Sequence, residues 1–187
     1  MEALGERIAR LSPQCKVLVL SNPFTKDCGF LDDKRQYERA GVRGLRKGLG
    51  RDIPVTVVFP EIRPEYFTDR ESIVWPADCR TPLSFAMQPS SLDQLAEAHP
   101  ECRVIVSLIG LPVGVDQLKI WGEKDPRCFG LLMPDLRVLG SPAKVGEDFQ
   151  RGKLLAAVTQ DASGDPLIVT RDNIKAVLER QPKALGY

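Results

Sequence analysis

The sequence predicts an α/β fold, a three-layer sandwich around a doubly wound, five-stranded parallel sheet of probable order 2-1-3-4-5. Three observations predict it. Strand-length apolar runs recur along the chain, the runs are continuous rather than alternating, and helical periods separate them. Continuous apolar strands belong to a sheet covered on both faces, and right-handed crossovers between parallel strands put helices on those faces. At 187 residues the chain is expected to form one Rossmann-like domain over residues 1–187.

The first eleven residues place Leu4, Ile8 and Leu11 on one helical face. Lys16–Leu20 is a buried strand that stops at Ser21-Asn22-Pro23, a turn signal. From Asp32 to Leu49, Tyr37, Ala40, Gly41, Leu45 and Leu49 recur at helical intervals, and Gly50 closes the helix. Gly41, Gly44 and Gly48 lie inside this helix, so they read as packing glycines and not as a phosphate cradle. Ile53–Phe59 is the second strand, ending at Pro60-Glu61. A proline-rich insertion over 63–89 follows; its Tyr66, Phe67, Trp75 and Phe85 imply that it folds over something.

Ser90 or Ser91 caps a helix through Ala98, with Leu92, Leu95 and Ala96 inward. Arg103–Ile109 is the third strand, broken at Gly110-Leu111-Pro112 and followed by a short helix containing Leu118, Ile120 and Trp121. Phe129–Met133 is the fourth, broken at Pro134-Asp135, and Val145–Lys153 holds a helical turn. Leu154–Thr159 is the fifth strand, ending at Gln160-Asp161, and Asn173–Arg180 is the last helix.

Composition excludes several classes. Lys plus Arg total 26 against 25 Asp plus Glu, a net charge of +1, so bulk charge gives no case for nucleic acid or an anionic membrane. No apolar run approaches the roughly 18 residues of a membrane span, so no membrane insertion is expected. The five cysteines, Cys15, Cys28, Cys79, Cys102 and Cys128, include no Cys-x-x-Cys pair, and an odd count leaves a free thiol. No export signal is legible, which reads as cytoplasmic for the chain as written and periplasmic if a signal has been removed.

In an open parallel sheet, ligands bind beyond the carboxyl ends of the strands. The residues expected there are Ser21, Asn22 and Phe24, with Thr25, Lys26 and Asp27, after the first strand, and Glu61 with Arg63 after the second. Gly110 with Ser107 and Pro112 follows the third, Asp135 the fourth and Asp161 with Gln160 the fifth. Uncharged hydrogen-bonding groups, an aromatic ring and carboxylates together suit a small polar ligand of the sugar or nucleoside class. The single histidine, His99, precedes the third strand at the opposite edge of the sheet, which argues against histidine-based catalysis. No nucleophile elbow, Walker loop or dinucleotide turn follows any strand, and the strand ends lack the acids and lysine of a phosphoacceptor receiver. Asp32-Asp33, or Glu61 with Asp135, are the only carboxylate pairs of interest for a metal; paired aspartates before a helix read as caps, and neither a metal nor a cofactor is expected. Arg35, Arg39, Arg43, Arg46, Lys47 and Arg51 form the densest basic stretch, either a solvated helix face or a surface for an acidic partner.

Lys16-Val17-Leu18-Val19-Leu20-Ser21-Asn22-Pro23-Phe24, the helix ending Gly44-Leu45-Arg46-Lys47-Gly48-Leu49-Gly50, and Val55-Thr56-Val57-Val58 together resemble the opening β-α-β of a type I periplasmic binding protein, the sugar-binding class of ABC-transport receptors. Arg103–Ser107 is similar to that family's third strand, and Ile168–Ile174 to a stretch near its carboxyl end. The resemblance implies ligand contacts from Asn22, Phe24, Asp135 and Asp161. Family members have two such lobes and close on ligand by hinge motion. A single lobe therefore dimerises to complete a cleft, binds on an open face, or has kept the fold alone. The reading expected first is a non-catalytic ligand-binding domain. The alternatives are a carboxylate-based hydrolase or transferase using Glu61, Asp135 or Asp161, and a structural subunit with 63–89 and the basic helix as interfaces.

Overall fold

The computed structural model describes residues 1–26 and 33–187. Asp27, Cys28 and Asp32, named above, lie outside the described residues. Five parallel strands form the sheet in the expected order: β1 (Lys16–Leu20), β2 (Val55–Val58), β3 (Cys102–Ser107), β4 (Cys128–Leu132) and β5 (Leu154–Gln160). One correction is needed. A sixth strand, β6 (Pro166–Val169), pairs antiparallel with β5, so the sheet runs β2-β1-β3-β4-β5-β6 and its last edge is a hairpin. The Asp161 carboxylate builds the hairpin turn, its Oδ1 accepting from the backbone N–H of Ser163 (2.8 Å) and Asp165 (3.0 Å). Pro166 opens an edge strand, the one sheet position where its missing N–H costs no ladder bond.

Alternate residues of each buried strand feed two cores, which is why the strands read as unbroken apolar runs. Val17, Val19, Val104 and Val106 face α1 (Glu2–Leu11) and α2 (Asp33–Leu49), packing with Leu4, Ile8, Leu45 and Leu49. Leu18, Leu20, Ile105 and Phe129 face the other way. The insertion carries two one-turn helices, α3 (Glu65–Thr68) and α4 (Leu83–Ala86). Beyond it, α5 (Pro89–Ala98), α6 (Pro142–Gln150) and α7 (Ile174–Arg180) cover that second face with Leu92, Phe149 and Ile174. Leu11, expected inward, is 49% exposed, because α1 ends there and turns its last side chain outward. The short helix expected at 118–121 is two 3-10 turns, Val115–Gln117 and Lys119–Trp121, and it brings Trp121 to 4.9 Å from Phe129.

The helices α1 and α2 cross at glycines. A Cβ on Gly48 would stand 2.0 Å from the Glu2 carbonyl oxygen, and one on Gly5 would stand 2.4 Å from that of Leu45. Gly48, expected from sequence as a packing glycine, and Gly5, which was not, therefore set the distance between α1 and α2.

At the amino-terminal edge of the sheet, Lys153 is only 6% exposed. Its Nζ donates to the carbonyls of Ile120 (3.0 Å), Asp125 (3.0 Å) and Arg127 (2.9 Å), so a buried ammonium ties β5 to the loop before β4. His99 lies at this edge as well, capping α5 at the opposite end from the carboxyl edge of the strands.

Candidate functional site

At the carboxyl edge the strand ends divide into two regions. Over β3, β4 and β5 the chain covers itself. Residues 63–89 leave β2 beside Glu61, whose carbonyl accepts from Gln88 N–H (2.8 Å), and the return leg is held by Arg63 N–H donating to the Ala86 carbonyl (2.8 Å). The residues that go inward are Thr81, Ser84, Ala86 and Met87, none more than 7% exposed. Of the aromatic residues that called for a covered surface, Phe67 is instead 67% exposed.

Gly110 is the anchor of this cover. Its φ is +83°, and Ser84 Oγ donates to the neighbouring Ile109 carbonyl (3.1 Å) while lying 3.0 Å from Thr81 Oγ1. Ser107, expected among the polar strand-end groups, donates its hydroxyl back to the Gly110 carbonyl (2.5 Å).

Asp135 is 1% exposed, and both its oxygens are taken by Arg137: Oδ1 by Nε (2.9 Å) and Oδ2 by Nη2 (2.6 Å). Arg137 then reaches Asp78 of the insertion through Nη1 (2.9 Å), which holds the Asp78 carboxyl below its ordinary range by that hydrogen bond. The carboxyl-terminal residues close over the same spot. Tyr187 donates its hydroxyl to the Gly140 carbonyl (2.7 Å), with the Leu136 carbonyl at 3.0 Å. Over β5, Thr159 donates to the Ala184 carbonyl (2.7 Å) and receives a longer contact from Arg80 (3.4 Å).

This cover has a pH signature. Burial, with the Asp135 charge second, pushes the Tyr187 phenol up from 10 to about 12. A raised phenol favours the folded state below the unfolded value and loses that contribution as pH climbs to the folded one. Wild type is therefore expected to lose stability between about pH 10 and about pH 12 relative to Tyr187→Phe. Paired denaturant melts across that range measure the difference.

Around β1 the described residues leave the edge open. Pro23 fixes the first position of a 3-10 turn, Pro23–Thr25, and Asn22 caps it, Oδ1 accepting from Phe24 N–H (2.9 Å). Behind the turn stands Glu38 of α2, which sequence reasoning missed. Its carboxylate accepts from the Ser21 hydroxyl (2.5 Å) and the Asn22 N–H (3.0 Å), and lies 2.8 Å from the Thr25 hydroxyl. The available signal was a lone glutamate among the cations of residues 34–51. Ser21 is 3% exposed and fully engaged there. Asn22 keeps its amide NH2 group, which has no partner among the described residues.

Phe24 is 40% exposed, and the insertion brings Tyr66 and Phe67 to it, with ring centroids 5.6 and 6.1 Å away. Glu61, at the end of the adjacent strand β2, exposes its side chain and makes no side-chain hydrogen bond among the described residues. The turn thus sets an amide and a ring cluster next to the end of β2. Asp161 lies apart, at the rim of a cavity of about 520 Å³ with Arg80, Gln160, Arg180 and Lys183. Of the residues expected at the site, the structure groups Ser21, Asn22 and Phe24 at one strand end and puts Glu61 just past the end of the neighbouring β2, while Gly110, Asp135 and Asp161 belong to the cover and the hairpin.

No family model matches the sequence, and no curated protein matches it either. Solved structures do. A carbohydrate transporter from Acidothermus cellulolyticus in complex with myo-inositol aligns at TM-score 0.56 and 13% identity, over 98% of this chain and 60% of that one. A periplasmic solute binding protein of an ABC transporter from Actinobacillus succinogenes, with bound D-allose, aligns at TM-score 0.52 and 12% identity over 94% and 60%. The chain has the fold of ABC-transporter solute binding proteins. A third such protein, from Agrobacterium vitis with bound D-fucose, aligns at TM-score 0.52 and 14% identity, over 99% of this chain and 61% of that one. The chain spans about 60% of the length of these proteins, and its one doubly wound sheet corresponds to a single lobe. Among the described residues no helix is long and apolar enough to cross a membrane.

Proposed function

We propose that the chain is a non-catalytic binding domain for a small neutral sugar or polyol, held at the open end of β1. The observation that carries the reading is the uncommitted amide of Asn22 beside the Phe24–Tyr66–Phe67 ring cluster, at a strand end that the described residues leave open. A sugar presents hydroxyls to an amide and a carboxylate and a C–H face to a ring, which these side chains supply with Glu61. The fold shared with proteins solved in complex with myo-inositol, D-allose and D-fucose supports the same class.

A panel of hexoses and polyols, beginning with those three, tests it by calorimetric titration. Asn22→Ala combined with Phe24→Ala is expected to weaken the best ligand about tenfold or more, since a lost hydrogen bond and a lost ring contact each cost about 1 kcal/mol. Asp161→Ala is expected to leave the affinity as it was, because its carboxylate holds the hairpin turn. A double variant that binds like the wild type would end the proposal. Among the described residues the open face has no opposing wall, and in this reading a second copy of the chain supplies one. Ligand is then expected to shift sedimentation toward a dimer, and a monomer at saturation would reject that part.

A further inference from the structure

The basic helix remains unexplained by a site for neutral sugars. Its exposed side borders a groove of about 410 Å³ running from the Ser21–Thr25 turn along α2 to the edge strand β2. Arg39, Arg43 and Arg46 line it with Arg35 and Lys26, and Val42, Val57 and Phe59 give it an apolar floor. None of Asn22, Phe24, Tyr66 and Phe67 lines it, so it is distinct from the ring cluster.

These arginines differ from a solvated face in lining one groove together. Some arginines elsewhere are ion-paired, Arg7 with Asp172, Arg127 with Asp125, Arg137 with Asp135 and Arg151 with Asp148, while Arg103, Arg171 and Arg180 stand singly without an ion pair among the described residues. Arg39, Arg43 and Arg46 have no carboxylate partner among the described residues. The one carboxylate lining the groove, Glu38, is occupied by the Ser21 hydroxyl and the Asn22 N–H. Compensation of the helix dipole accounts for Arg46 and Lys47 in the last turn of α2. It does not account for Arg39 and Arg43, which lie further in.

Positions 39, 43 and 46 fall on one side of the helix, about 6 and then about 4.5 Å apart along its axis. Long side chains at that spacing converge on neighbouring anionic groups, and guanidinium forks match phosphoryl oxygens in pairs. The groove's volume is that of a small-molecule site, and its apolar floor accepts a ring. The cationic excess is local, since the whole chain carries only +1. We infer that this groove binds a small ligand carrying two or more phosphoryl groups on a ring-bearing body, the chemistry of a nucleoside diphosphate. The phosphoryl groups lie on Arg39, Arg43 and Arg46, and the ring system lies on Val42, Val57 and Phe59.

Calorimetric titration at low ionic strength with ADP, pyrophosphate and adenosine tests the assignment. ADP is expected to bind most tightly, pyrophosphate more weakly, and adenosine at least about tenfold more weakly than ADP, with ADP binding falling as salt rises. Arg39→Gln combined with Arg43→Gln is expected to weaken ADP at least about tenfold. Its melting temperature should match the wild type, because both side chains are exposed and have no ion pair among the described residues. Asn22→Ala is expected to retain ADP binding, which separates this groove from the sugar site. Absence of ADP binding, or undiminished binding in the double glutamine variant, would overturn the inference. So would a single-stranded oligonucleotide displacing ADP at lower phosphate concentration, which would make the groove a nucleic-acid surface.

Discussion

A Gly48→Ala variant is expected to lose about 3 kcal/mol of stability, the upper range of overpacking penalties. The new Cβ would stand 2.0 Å from the Glu2 carbonyl oxygen and 2.8 Å from the Glu6 nitrogen, both backbone atoms that no rotamer change can move. The helices α1 and α2 must then separate, loosening Leu4, Ile8, Leu45 and Leu49 from the sheet. Gly41→Ala on the same helix is the control. Its Cβ would meet only Leu108 methyls and Met1 Cγ, at 3.8 and 3.9 Å, so helix propensity should leave it neutral or up to about 1 kcal/mol more stable. Urea melts of the two variants decide the matter. Equal effects would mean that the glycines do not set the helix crossing.

Gly110→Ala is expected to lift the cover from the strand ends. The position combines a left-handed φ of +83° with a Cβ that would stand 2.1 Å from Ser84 Oγ and 2.9 Å from Thr81 Oγ1. Ser84 has nowhere to retreat, being 0% exposed and bonded to the Ile109 carbonyl. Backbone strain and displacement of Ser84 together are expected to cost about 2–4 kcal/mol. The loss should concentrate in residues 63–89. Limited proteolysis is therefore expected to cut this segment in the variant under conditions that leave the wild type whole. Equal cleavage of both would show that Gly110 is not its anchor.

The parallel sheet was legible because its strands are buried on both faces and their apolar runs are unbroken. The strand β6 was not, since Leu167 and Ile168 are only half-buried and the strand opens on a proline. The turn before it shows as an ordinary polar stretch until Asp161 is seen accepting two backbone N–H groups. At the site, Asn22 and Phe24 were legible from the turn that stops β1. Glu38 was not, because it reaches the strand end from a helix on which Arg39, Arg43, Arg46 and Lys47 are exposed. Asp135 occupies the expected strand end but is turned inward by an arginine two residues away, a pairing made by the 3-10 turn Leu136–Leu139 that no helical or strand period announces. The insertion was legible as a cover. Which residues do the covering was not, because small side chains fit the strand ends while Phe67 stays outside and Tyr66 is only partly covered.

The central claim is that a small polar ligand binds at the end of β1 and not over the covered ends of β3, β4 and β5. Backbone amide shifts recorded while myo-inositol, D-allose or D-fucose is titrated in test it most directly. The account predicts saturable shifts at Asn22, Phe24, Glu61, Tyr66 and Phe67, with Asp135 and Asp161 unmoved. Shifts centred on Arg80, Gln160 and Asp161, or none with any of the three, would contradict it.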